Sequence, residues 1–305
     1  MPQLIITAGE KYNDIDALAC GVAYKHLLDL QGIPSEVVFS GPLNESISKS
    51  VRDLGFSYKT KLEGNAEDYQ YVMVDISDRT NVSAFVPLDK VVEVYDHRWG
   101  FEDYWKTRPD VKVTIDTVGS CATLIWEKYK ENNLQNKIDS LSANLLYIAI
   151  ISNTLNLKAR ITNKRDLAAV EELKSFTDLP NDWIMNYFNE VSASILKDPI
   201  NAIKNDTKIA PINGANYHIM QVELWNSKEF INNHNELILD LLKSSDCDYS
   251  FLTSPSISEG INYLITLNEG VKSILSERIG AKFNGAVGLT DKLWLRKEII
   301  RELSK

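Results

Sequence analysis

The chain has 305 residues, enough for two domains that each bury a core. A composition of 44% hydrophobic and 25% charged residues excludes a disordered chain, and a formal net charge of -9 argues against a broad face for duplex nucleic acid, which needs clustered Lys and Arg. No run approaches the roughly 18 apolar residues of a membrane span, and the start MPQLIITAGEKYND lacks the basic region and apolar core of a secretory leader; a cytoplasmic protein without a membrane partner is expected.

In the first half, short apolar runs at 3–7, 35–39, 69–75, 90–95 and 111–115 alternate with helical stretches at 16–30, 119–131, 138–152 and 164–176. That alternation predicts an α/β fold with a parallel sheet covered by helices on both faces. A proline near 177–182 interrupts the helical pattern before an amphipathic stretch at 183–196, which places a boundary between domains 1–178 and 179–305. The second half carries strand-like runs at 217–224 and 261–267, helical runs at 227–243 and 269–278, and a last helix from about residue 293. Cys20, Cys121 and Cys247 are odd in number and widely spaced, so they read as small buried residues rather than a disulfide or zinc framework. His26, His218 and His234 lack metal-ligand spacing and read as structural or exposed.

Three of the apolar runs end in acidic sequence. LIITAGEKYNDIDA puts Asp14 and Asp16 in a strand-to-helix turn, YVMVDISD puts Asp75 at a strand end, and VVEVYDHR puts Asp96 and His97 at another. In open parallel sheets such carboxyl ends converge on the binding crevice. Each aspartate alone reads equally well as a helix or turn cap. Capping does not account for carboxylates at three strand ends beside a histidine, whereas a divalent cation offsets their mutual repulsion. Oxygen donors with one imidazole suit Mn²⁺ or Mg²⁺ better than structural zinc.

These segments resemble the DHH phosphoesterase superfamily, in the branch of manganese-dependent inorganic pyrophosphatases, exopolyphosphatases and prune-like proteins. GEKYNDIDA at 9–17 is similar to the first motif, VMVD ending at Asp75 to the second, and Asp96-His97-Arg98 to the DHH signature. GSCAT at 119–123 and AIISNTL at 149–155 are similar to the segments that follow, while KNDTK at 204–208 and LRK at 295–297 resemble basic segments of the DHH-associated second domain.

The resemblance implies a parallel-sheet DHH domain, a smaller α/β DHH-associated domain and an active site in the cleft between them. It implies metal ligation by Asp14, Asp16, Asp75 and His97, with Asp75 bridging two ions, and Asp96 supporting His97 or the attacking water. Lys208, Arg296 and Lys297 would bind phosphate oxygens.

The chain departs from that pattern at four places: Glu10 stands for a histidine, Asn153 for a metal-binding aspartate, Arg98 for the last histidine of DHH, and Leu295 for a serine. Glu10 and Asn153 can still offer oxygen to a metal, but the uncharged amide predicts a weaker second ion. Arg98 supplies a permanent cation for phosphate and is excluded as a general acid. The expected activity is hydrolysis of pyrophosphate or short polyphosphate by metal-activated water. The alternatives are a phosphodiesterase or nucleotidase of the same superfamily and a non-catalytic member that binds phosphate or a partner. A small phosphate compound is the expected partner, and a homodimer is left open.

Overall fold

The computed structural model describes residues 3–305. They group into two compact units, one of Met1–Leu157 with Ile161–Ile184, the other of Lys158–Arg160 with Met185–Lys305. The sequence boundary was placed at 178/179; the grouping changes at Ile184/Met185.

The first unit is built on five strands, β1 (Leu4–Thr7), β2 (Ser35–Val37), β3 (Gln70–Val74), β4 (Val91–Asp96) and β5 (Lys112–Ile115). All pair in parallel, in the order β2-β1-β3-β4-β5, as the expected α/β class requires. The chain runs from β1 to one side and returns to the other, so the strand order reverses between β1 and β3. Beyond the carboxyl ends at such a reversal, neighbouring loops part and leave room for a site. Register sets what meets there: Thr7 pairs with Met73 and Val74 with Tyr95, so the residues after β1 and β3 and the end of β4 lie side by side.

Helices α1 (Ile15–Leu30), α2 (Lys49–Arg52), α3 (Glu102–Lys106), α4 (Cys121–Glu131), α5 (Ser140–Asn153) and α6 (Lys164–Leu173) complete this unit. α1 and α5 pack on each other and on α4. Both are buried nearly all round, with Ser142 to Ile151 of α5 buried without a break. A helix with no polar face has to lie inside. Each fully buried Leu or Ile here contributes about 1.5–3 kcal/mol.

α7 (Trp183–Leu196) crosses from one unit to the other, and α8 (Pro199–Asn205) follows. The second unit then folds β6 (Thr207–Ile212), β7 (Ala215–Gln221), α9 (Ser227–Lys243), β8 (Tyr249–Ser256), β9 (Ile261–Ile265), α10 (Glu269–Ile279), β10 (Lys282–Asn284), β11 (Val287–Leu289) and α11 (Arg296–Leu303). Its sheet runs β10-β11-β9-β8-β7-β6 and is antiparallel except between β7 and β8. Alternating residues feed two cores. Ile219, Phe251 and Leu264 pack with α10 and α11, and Met220, Leu252 and Ile265 pack with α9.

Only two of these six strands were expected. β6 contains Pro211, and β8 reads YSFLTSPS, so proline and serines interrupted the apolar signal in both. β6 tolerates its proline because it is the edge strand. Cys247 is half-buried, unlike the buried Cys20 and Cys121. Among the described residues no helix is long and apolar enough to cross a membrane.

Candidate metal centre

Asp14 is the N-cap of α1 and accepts the backbone N–H groups of Asp16 at 3.1 Å and Ala17 at 3.0 Å. The capping role weighed for the NDID segment therefore falls to Asp14. That turn carries Asp16 into the interior with no exposed surface. Its carboxylate accepts the Ser120 hydroxyl at 2.8 Å and the N–H groups of Cys121 and Ala122, both at 2.9 Å. These donors form the first turn of α4, a natural anion cradle. Burial, then the charge of Asp14, pushes the Asp16 carboxyl up to about 6, against the pull of the three donors.

The cradle depends on Gly119. Its N–H donates to the buried Asp166 carboxylate at 2.9 Å, and Asp166 also accepts from Thr123 and closes the capping box of α6 with Asn163. A Cβ at position 119 would lie 2.5 Å from Thr154 Cγ2, so only glycine fits. This explains the Gly-Ser segment noted in the sequence.

Asp75 follows β3 with φ of 52°, a left-handed conformation that Asp adopts more readily than most residues. The side chain is buried, and among the described residues its Oδ1 has no hydrogen-bond partner. Burial holds this carboxyl well above the usual carboxylate range; Arg98 opposes that effect and the neighbouring aspartates add to it.

At the end of β4, Asp96 has both carboxylate oxygens engaged: Oδ1 accepts the N–H groups of His97 at 2.8 Å and Arg98 at 3.1 Å, and Oδ2 accepts the Ser77 hydroxyl at 2.5 Å. It shapes the turn that presents His97. The imidazole is buried, with Nδ1 3.2 Å from the Val118 carbonyl. A carbonyl only accepts, so Nδ1 carries the proton of the neutral ring and Nε2 has the lone pair. That lone pair faces Asp75 Oδ1 at 3.5 Å and Asp16 Oδ2 at 3.9 Å.

One ligand atom from each of Asp16, Asp75 and His97 lies within 4.8 Å of the others. Donors on one ion at about 2.0–2.2 Å are spaced on this scale. An orphaned carboxylate oxygen beside a lone-pair nitrogen in a buried setting repels unless a cation or proton lies between them. The residues present therefore fit a metal ion.

Of the other carboxylates expected as ligands, Glu10 and Asp14 are not in this group. Glu10 is exposed, its Oε2 accepting the Ser40 hydroxyl at 2.6 Å and the Ala84 N–H at 2.9 Å. Asn153 is the last residue of α5, where its amide donates to the Ala149 carbonyl at 3.3 Å. Arg98, expected to hold phosphate, donates to the Asp75 backbone carbonyl and to Asp75 Oδ2 at 3.0 Å, with Asp96 Oδ1 at 3.4 Å. In the second unit, Arg296 donates to the carbonyl and the carboxylate of Asp206, both at 2.6 Å, while Lys208 on β6 and Lys297 on α11 are exposed. Ser77, Val118 and Asp166 were not singled out in the sequence. Their roles depend on partners 19 to 47 residues away.

The chain matches no family model. It aligns at 23% identity over 303 residues, 97% of its length, with 96% of a Lactobacillus acidophilus protein named "Probable manganese-dependent inorganic pyrophosphatase". A Shouchella clausii protein of the same name is 27% identical over 241 residues, 78% of this chain and 75% of that one. This chain is a homologue of proteins named manganese-dependent inorganic pyrophosphatases. The crystal structure of a Methanococcus jannaschii protein assigned as a family II inorganic pyrophosphatase shares the fold, with a TM-score of 0.73 at 21% identity over 99% of this chain and 98% of that one. The alignment with the named relatives thus covers 97% of the chain, including the segments from which the resemblance was read.

Proposed function

We propose that this chain is a divalent-metal-dependent phosphohydrolase that cleaves a phosphoanhydride, inorganic pyrophosphate or a short polyphosphate. The observation that carries the reading is the buried Asp75 Oδ1, without a hydrogen bond and facing Asp16 and His97. Manganese in the relatives' names supports that ion, and an imidazole among carboxylates favours Mn²⁺ over Mg²⁺. When bound, the metal would supply Lewis-acid polarisation of a phosphoryl oxygen and lower the pKa of water.

The chain's own residues prepare for this. Asp16, Asp75 and His97 would hold the ion, Asp14 adds negative charge beside Asp16, and the Val118 carbonyl fixes the imidazole tautomer. Asp96 orients His97 and Arg98 through their N–H groups. Arg98 contributes positive charge without proton transfer, since guanidinium keeps its proton. Lys208, Arg296 and Lys297 are candidate contacts for phosphate oxygens; Arg296 would have to exchange Asp206 for substrate. Glu10 and Asn153 are not needed by this reading.

The test is phosphate release from pyrophosphate and tripolyphosphate by chelator-treated protein, with Mn²⁺ or Mg²⁺ restored. Release that returns with Mn²⁺ supports the proposal; none from either substrate at saturating metal rejects it. A second reading, a nucleotide phosphoester, is favoured by one observation. A cavity of about 330 Å³ is lined by Phe101, Tyr104 and Arg79, and Arg79 stacks 4.5 Å above the Tyr104 ring. Such surfaces suit a base. Adding a dinucleotide to the same assay separates the two.

A further inference from the structure

We infer that Arg98 takes the place of a second metal ion, so that the centre holds one divalent cation and one guanidinium. This rests on the metal-centre reading above and departs from the two ions expected from the sequence.

The two oxygens of Asp75 have different surroundings. Oδ1 points to His97 and Asp16 and lacks a hydrogen bond, while Oδ2 accepts Arg98 Nη2 at 3.0 Å. A carboxylate that bridges two ions gives one oxygen to each. Here the second oxygen is already committed to a cation, and that cation is fixed. Its other nitrogen donates to the Asp75 carbonyl and approaches Asp96 Oδ1 at 3.4 Å, so the guanidinium spans backbone and two carboxylates. The planar guanidinium makes several contacts at once where a lysine ammonium would bring the same charge to a single point.

Electrostatics point the same way. A dication placed against Oδ2 would either displace the guanidinium or sit beside it at like charge.

Mn²⁺ titration of chelator-treated full chain, followed by bound-metal analysis and electron paramagnetic resonance, tests this without reference to activity. We expect the parent to saturate at one Mn²⁺ per chain with the hyperfine spectrum of an isolated ion. Arg98→Met should double the stoichiometry, with a spin-coupled spectrum, and Arg98→Lys should keep it at one because the charge is retained. Two coupled ions in the parent, or one ion in a folded Arg98→Met, overturn the inference while leaving the metal centre standing. No binding by any form overturns the metal centre itself and the inference with it. The parent's stoichiometry decides the matter even if Arg98→Met does not fold.

Discussion

Ser120 donates its hydroxyl to Asp16 at 2.8 Å across 104 residues of sequence, and the same oxygen accepts the Ala122 N–H at 3.2 Å as the N-cap of α4. One hydroxyl thus starts a helix and orients a ligand. Ser120→Ala should destabilise the metal-free chain by about 1 kcal/mol through the lost cap. It should also weaken Mn²⁺ binding about tenfold, since Asp16 loses one of the donors that hold it. Chemical denaturation and calorimetric titration check the two parts separately. A variant weakened in stability alone would mean that the Cys121 and Ala122 N–H groups suffice to place the carboxylate.

Asp75 calls for a substitution that respects its backbone. At φ of 52° an alanine would add strain of its own, whereas asparagine adopts that conformation readily and keeps the shape. Asp75→Asn should lower Mn²⁺ affinity by more than about 100-fold, beyond the range that loss of an outer partner costs. The metal-free variant should melt no lower than the metal-free parent. Removing a buried negative charge relieves repulsion from Asp16, Asp14 and Asp96, which offsets the weakened bond to Arg98. Parent-like Mn²⁺ affinity would rule out Asp75 as a ligand.

Much of this site was legible because apolar strands ended in Asp or Asp-His, and the parallel order brought those ends together. That pattern singled out Asp16, Asp75 and His97, which the fold brings together, along with Asp14 and Asp96. The division of labour among them did not follow from it, because it depends on backbone direction: the turn before α1 makes Asp14 a cap and buries Asp16. The clasp of Arg98 on Asp75 was equally hidden, since the sequence shows a cation near the site but not where its guanidinium folds back. In the second unit, β6 and β8 escaped notice because proline and serine replace the apolar alternation that marks a strand.

Asp16 gives the pH dependence its sign. Its carboxyl is raised from 3.8 to about 6 in the folded, metal-free chain, so its contribution to stability is full below about 4 and is lost as pH rises through about 6. Metal reverses the preference, because it binds the ionised form. The rise in melting temperature on adding Mn²⁺ should therefore be small near pH 5 and grow through pH 6 to 7. Paired melts with and without Mn²⁺ across that range read it directly. A shift of equal size at every pH would show that protons and metal do not compete at this carboxylate.

Arg296 tests the second unit. Its guanidinium is tied to the carbonyl and carboxylate of Asp206, and its backbone N–H donates to Gln221 at 3.0 Å. The backbone bond survives substitution, so the start of α11 should stay anchored in Arg296→Met. If Arg296 exchanges Asp206 for a phosphate oxygen during turnover, the variant loses a charge-assisted contact, and kcat/KM for pyrophosphate should fall by about tenfold or more. Mn²⁺ affinity should be nearly unchanged, because the ligand group of Asp16, Asp75 and His97 belongs to the first unit. Asp206→Asn supplies the counter-test. Loosening the ion pair without removing the cation should leave kcat/KM equal to the parent's or raise it. A fall of the same size in both variants would mean that the pair matters only as a brace for α11, and Arg296 would then be a structural residue.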